Sequence, residues 1–224
     1  SYGLAREFRG VDFRGKRVLD VGSGKGLMTV FAALSGAEQV VSMEPELDGS
    51  RSAAAAVLQD RIERLKLKNV TVLREDFNTW DPKGATFDII LSLQSLEHLD
   101  ESPYHALFHS QTHESCVRIT SRIRSLLNDD GLAVATNACR YGLFSLLKAY
   151  GIRRPWDGKV TTINWRIHQN PRVWRRLFLE GGFSRVDIIY PLPYSLRALK
   201  GVVANSVVNF FLLASFCLHC HKAG

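Results

Sequence analysis

The stretch VLDVGSGKG, Val18 to Gly26, runs as an apolar strand carrying one acid and then turns through three alternating glycines. A glycine turn directly after a strand lets a ligand approach bare backbone at the mouth of a parallel sheet. A phosphate loop needs GxxxxGK followed by Ser or Thr. Here Leu19 stands at the first glycine position and Gly26 follows Lys25, so that reading fails. A dinucleotide fingerprint needs GxGxxG, and Leu27 occupies its third glycine position. What remains is GxGxG with Asp20 two residues before it and Glu44 closing the next apolar run.

Working outward, strand-like and helix-like runs alternate. Strands are expected at Lys16–Val21, Gln39–Met43, Val70–Leu73, Phe87–Leu93 and Leu132–Thr136. Apolar residues at helical spacing mark Leu27–Ser35, closing on Gly36, then Asp48–Leu67 and Glu114–Leu127. Such alternation predicts βαβ units, a parallel sheet and helices on both faces, with ligands outside the carboxyl ends of the strands. No repeat or linker divides the chain, so residues 1–224 are read as a single α/β domain. Four cysteines in 224 residues are no disulfide framework. With no signal-peptide pattern either, the expectation is a reduced, cytoplasmic protein.

The uncharged run Gly201–Leu218 superficially resembles a membrane span, but Asn205, Ser206 and Asn209 interrupt it. It also barely reaches the roughly 20 apolar residues a span requires. It is read instead as a buried helix over Arg197–Leu213 and a final strand over Ala214–Lys222. Pairing with Ser184–Tyr190 would put that strand at the sheet edge. An edge strand also accounts for Cys217, His219, Cys220 and His221 better than a metal site does, because Cys220 would face away from the other three. His105, His109 and His113 recur at four-residue steps and are read as a solvated or pocket-facing stripe, and no metal is expected.

VLDVGSGKG, then VVSMEPE, LREDF and FDIILSLQSLEHLD, in this order and spacing, resemble the class I S-adenosylmethionine-dependent methyltransferases. The resemblance covers about residues 16–136, and GGFSRVDII with the last strand extends it. It implies a seven-stranded Rossmann-like sheet, mostly parallel with an antiparallel last strand. It also implies S-adenosylmethionine as cofactor and S-adenosylhomocysteine as product. Gly22, Gly24 and Gly26 would admit the methionine part of the cofactor, with Ser23 inside the turn. Asp20 would orient the turn or receive the cofactor's ammonium group. Glu44 would accept from the ribose hydroxyls, Asp76 would receive the adenine amino group, and Phe77 would offer the ring an apolar face. Ser92, ending the fourth strand, completes the cofactor set.

The acceptor side is read from three features. Base-directed N-methyltransferases of this fold usually carry (D/N)PP(Y/F) after the fourth strand, where this chain has SLQS, Ser92–Ser95. Small-molecule O-methyltransferases often carry an Glu-His pair there, matched by Glu97 and His98. His98 is the first candidate base for a hydroxyl acceptor; the alternative is that the pair begins a helix or lines the cofactor pocket. The family's usual acceptor-binding insertion falls at about 137–170. It contributes Tyr141, Trp156, Trp165 and Arg166 as substrate-binding candidates and His168 as a second catalytic one.

Charge is concentrated in the same place. Of a net +7, the segment from Ala138 to Arg176 carries +8, leaving the rest of the chain at −1. A basic, aromatic patch suits a small or lipid-linked anionic acceptor, with peripheral membrane contact, or alternatively RNA or tRNA. A non-catalytic cofactor-binding partner subunit is the remaining alternative.

Overall fold

The structure is a computed structural model that describes residues 8, 10–45, 53–96, 99, 110–138, 170–189 and 215–223. Seven strands form one sheet: β1 (Arg17–Val21), β2 (Gln39–Met43), β3 (Val70–Leu73), β4 (Phe87–Leu93), β5 (Leu127–Ala138), β6 (Arg185–Ile189) and β7 (Ser215–His221). Four described helices accompany them: α1 (Leu27–Leu34), α2 (Ala54–Leu65), α3 (Ser110–Ser125) and α4 (Pro171–Glu180). The sheet order is β3-β2-β1-β4-β5-β7-β6. Pairings among β1 to β5 are parallel, and β7 runs antiparallel to both neighbours.

The strands alternate their side chains between two cores, as a period of two dictates. Val18, Ile89, Leu91, Val134 and Cys217 join Met28, Ala32 and Phe13 on one face. Leu19, Val21, Ile90, Ala133, Ala135 and Leu218 join Ile119, Ile123, Trp174 and Phe178 on the other. Both faces are covered, so the central strands read as nearly unbroken apolar runs. α1 ends where Gly36 takes φ +90°, and α2 ends where Lys66 takes φ +53°. α4 begins at Asn170, whose Oδ1 accepts the backbone N–H groups of Arg172 and Val173, with Pro171 in the first helical position.

Two expectations need correction. The final strand is not at the edge: β7 lies between β5 and β6, and β6 is the outer strand. The reason is burial. Phe216, Cys217, Leu218 and Cys220 are all within 1% of complete burial, which suits a strand inside the sheet with both faces covered, whereas β6 exposes Arg185 and Asp187. β5 also begins earlier than its apolar run suggests. Leu127 pairs with Phe87 and the ladder resumes at Leu132 opposite Ile89, so residues 128–131 bulge within the strand. Asp88 holds that bulge, accepting from Asn128 Nδ2 at 2.9 Å and from the Arg17 N–H at 2.8 Å. The tail helix expected over 197–213 lies outside the described residues, and among those no helix is long and apolar enough to cross a membrane.

Candidate functional site

The carboxyl ends of β1, β2, β3 and β4 converge on the glycine turn. Gly22, Gly24 and Gly26 all take left-handed φ values, 66°, 53° and 71°. Their surroundings differ. A Cβ on Gly22 would lie 2.5 Å from Ser95 Cβ, and one on Gly26 would lie 2.2 Å from Leu58 Cδ1. A Cβ on Gly24 would meet no described atom within 4 Å. Two glycines are therefore required by packing, and the middle one presents open backbone. That is the cradle a ligand needs.

Polar bonds fix the turn from every side. The Gly22 and Ser23 N–H groups donate to Met43 O at 2.9 and 3.1 Å. Ser42 Oγ donates to Ser23 Oγ at 2.7 Å, and Arg61 of α2 donates to Lys25 O at 2.7 Å. The Gly24 N–H donates to Glu44 Oε2 at 2.7 Å, so the acid closing β2 is tied to the open glycine. Beneath the turn, fully buried Asp20 accepts from Thr29 Oγ1 of α1 at 2.7 Å. Burial raises its carboxyl pKa to about 6; Thr29's hydrogen bonds oppose the rise and nearby Glu44 adds to it. Asp20 is thus held at the end of β1 by the first turns of α1.

The exit of β4 is occupied by serines. Ser92 Oγ and Ser95 Oγ lie 2.7 Å apart, and Ser95 Oγ donates to Val21 O at 2.8 Å. Both are buried, and Ser95 ties the exit of β4 to the end of β1. Gln94 follows with φ +57°, exposed, its N–H on Thr136 O at 2.8 Å. After β3, Asp76 Oδ1 accepts the Asn78 N–H at 2.8 Å, and Asp76 O accepts from Thr79 and Trp80. Phe77 departs from its expected role. Its ring is only 2% exposed, belongs to the core, and has the Arg122 guanidinium 5.3 Å from its centroid.

Sequence reading reached the glycine turn, Asp20, Glu44 and Asp76, which the fold brings to one end of the sheet. It missed Thr29, Ser42, Ser95, Arg61 and Arg122. Ser95 was inside a quoted motif; an arginine on a helix carries no mark separating a clamp from a solvated charge. His98, His168, Tyr141, Trp156, Trp165 and Arg166 lie outside the described residues, as do His105 and His109. His113 is placed: its Nε2 is 2.6 Å from Glu180 Oε2, joining α3 to α4 at the surface. Arg172, Arg175 and Arg176 are exposed; Arg176 pairs with Glu180 and Arg175 Nε donates to Val186 O. Cys220 is fully buried with its thiol pushed well above the usual range, chiefly by that burial, so it rests as a neutral core residue.

Comparison with known proteins agrees with this geometry. Over 98% of the chain, the fold matches the magnesium protoporphyrin IX methyltransferase of Synechocystis, covering 76% of that chain at 14% identity and a TM-score of 0.58. An S-adenosylmethionine-dependent methyltransferase of Listeria monocytogenes matches over 99% of this chain and 100% of its own, at 15% identity and a TM-score of 0.62. A phosphoethanolamine N-methyltransferase of Haemonchus contortus, bound to phosphomonomethylethanolamine and S-adenosylhomocysteine, matches over 100% of this chain. It does so at 16% identity and a TM-score of 0.65, and this chain spans 52% of that longer protein. A search of curated protein sequences finds no match. The family model described as a methyltransferase domain matches residues 3–205. An open glycine tied to the acid that closes β2, on this sheet order and under that match, leads to one conclusion: the chain belongs to the methyltransferase-domain family.

Proposed function

We propose that the chain methylates a hydroxyl of a small or lipid-linked anionic acceptor. One observation carries the reading. At the β4 exit, where base-directed relatives place a (D/N)PP(Y/F) motif, this chain has SLQS with both serines buried and bonded to each other and to Val21 O. Acceptor chemistry then passes to the segment that follows, Glu97 and His98, and to the basic insertion over about 137–170.

S-adenosylmethionine, when bound, supplies a methyl carbon made electrophilic by its sulfonium. The residues of this chain position it and manage the proton. Gly24 admits the methionine part beside bare backbone; Glu44, with Oε2 on the Gly24 N–H, offers its other oxygen to the ribose; Asp76 takes the adenine amino group. His98 removes the proton of the acceptor hydroxyl, with His168 as the second candidate, while Tyr141, Trp156, Trp165 and Arg166 hold the acceptor. The +8 segment supports an anionic acceptor. The Haemonchus N-methyltransferase, bound to phosphomonomethylethanolamine, supports the anionic part of that reading.

The charge also favours a second reading, an RNA or tRNA methyltransferase. Calorimetric titration with S-adenosylhomocysteine, followed by labelled methyl transfer to a panel of hydroxylated phosphates and carboxylates and to bulk tRNA, tests both. Transfer to a small anion that fails in a His98→Ala variant supports the first reading. Transfer to tRNA with binding that falls steeply as salt rises replaces it.

A further inference from the structure

The turn after β3 has an unusual support. Asp76 O accepts the Thr79 and Trp80 N–H groups at 3.2 and 2.9 Å, and Asp76 Oδ1 accepts the Asn78 N–H. The Asp76 carboxylate is thereby bolted to its own turn, so its position is only as fixed as the turn. The turn's outward carbonyls are held by one side chain. Arg122, in the last turns of α3, donates from Nε to Phe77 O at 2.8 Å and from Nη2 to Trp80 O, and its guanidinium lies over the Phe77 ring. Among the described residues Arg122 has no acidic partner, so its fork serves the turn alone. α3 itself is anchored in the core by Ile119 and Ile123.

We infer that Arg122 is a positioning residue for the adenine site, setting the Asp76 carboxylate through the backbone of residues 76–80. The inference rests on the assignment of Asp76 to adenine proposed above. Arginine suits the task because its planar fork reaches two carbonyls at once and stacks on a ring. Lysine could reach one carbonyl. The turn would then keep half of its tether and the carboxylate would wander.

The test is a pair of double-mutant cycles read by calorimetry with S-adenosylhomocysteine, with thermal unfolding confirming that each variant is folded. Arg122→Gln is expected to weaken binding roughly tenfold and Arg122→Lys by less. In an Asp76→Asn background the Arg122 effect is expected to vanish, because the group it positions is gone. In a Glu44→Gln background it is expected to persist in full. A loss of packing would add equally to both. Should Arg122→Gln fail to fold, Arg122→Lys carries both cycles. Full additivity in both backgrounds, or normal binding by the Arg122 variants while Asp76→Asn is weak, overturns the inference alone. Normal binding by Asp76→Asn overturns the adenine assignment and the inference with it.

Discussion

Two turns at the same end of the sheet are built on different principles. The turn after β1 is over-determined: two of its glycines are packed against Ser95 and Leu58, and it is bonded to β2, α2 and Glu44. The turn after β3 is held by its own aspartate, by Arg122, by the Asn78 bond to Leu99 O and by the buried Phe77 ring. In both, a helix-borne arginine reaches backbone carbonyls, Arg61 for the first and Arg122 for the second. Removing one contact from the first turn leaves several others bridging it to its neighbours, whereas removing Arg122 from the second takes away both bonds that join it to α3. The glycine turn is thus fixed by redundancy, and the turn after β3 depends on fewer ties, Arg122 chief among them.

The largest expected effect is on the redundant turn, where packing rather than hydrogen bonding sets the limit. Gly22→Ala combines a left-handed backbone with a Cβ 2.5 Å from Ser95 Cβ. It should cost about 2–5 kcal/mol in chemical denaturation, the sum of strain and overpacking. A loss below about 1 kcal/mol would mean the turn yields easily and the contrast is overstated.

Asp20 gives the next largest effect, and it depends on pH. Its folded pKa of about 6 lies above the ordinary 3.8, so between those values the folded protein holds a proton that the unfolded chain has released. The stability this group contributes is greatest near pH 4 and falls as pH rises through 6, after which both states are ionised. Asp20→Asn removes that dependence. The wild-type protein should therefore lose up to about 2–3 kcal/mol relative to the variant between pH 4 and pH 7. A stability gap that stays flat over this range would show that burial does not govern the carboxyl.

Gly24→Ala sharpens the comparison from inside the first turn. With no described atom near its added Cβ, it should cost only about 1 kcal/mol of stability, from backbone strain. Calorimetry should nonetheless show affinity for S-adenosylhomocysteine reduced at least about tenfold, since the methyl occupies the open face. Unchanged affinity would detach the cofactor from that glycine. The smallest effect is expected at Asn78, whose Nδ2 donates to Leu99 O at 2.7 Å on the exposed surface. Asn78→Ala should cost about 0.5–1 kcal/mol in denaturation, the worth of one exposed bond. A larger loss would show that the turn after β3 leans on Asn78 as well as on Arg122.

Much of the frame was legible because its signals are local. β2, β3 and β4 fall where their apolar, β-branched runs place them, and the GxGxG turn announces its own backbone. α3 already includes residues 110–113 ahead of Glu114, because polar residues there carry no apolar periodicity. Two failures share a cause: the deciding contacts are distant in sequence. Cys217 to His221 reads correctly as a strand, but only tertiary pairing reveals which strands flank it. Phe77 reads as a neighbour of Asp76, yet α3 lies over it and turns the ring into core. Likewise nothing near Arg122 hints that Phe77 and Trp80, more than forty residues earlier, supply its partners.

The placement of β7 has a consequence for how the molecule is made. β6 precedes β7 in the chain but lies outside it in the sheet, and among the described residues its one strand partner is the strand that comes later. During synthesis β6 therefore has no docking edge when it emerges, while the apolar edge of β5 stands unpaired. The sheet closes last one strand in from its edge, by insertion of Phe216–His221 between two waiting partners. That order joins a high sequence separation to a late event, the combination that slows folding and prolongs exposure of an aggregation-prone edge.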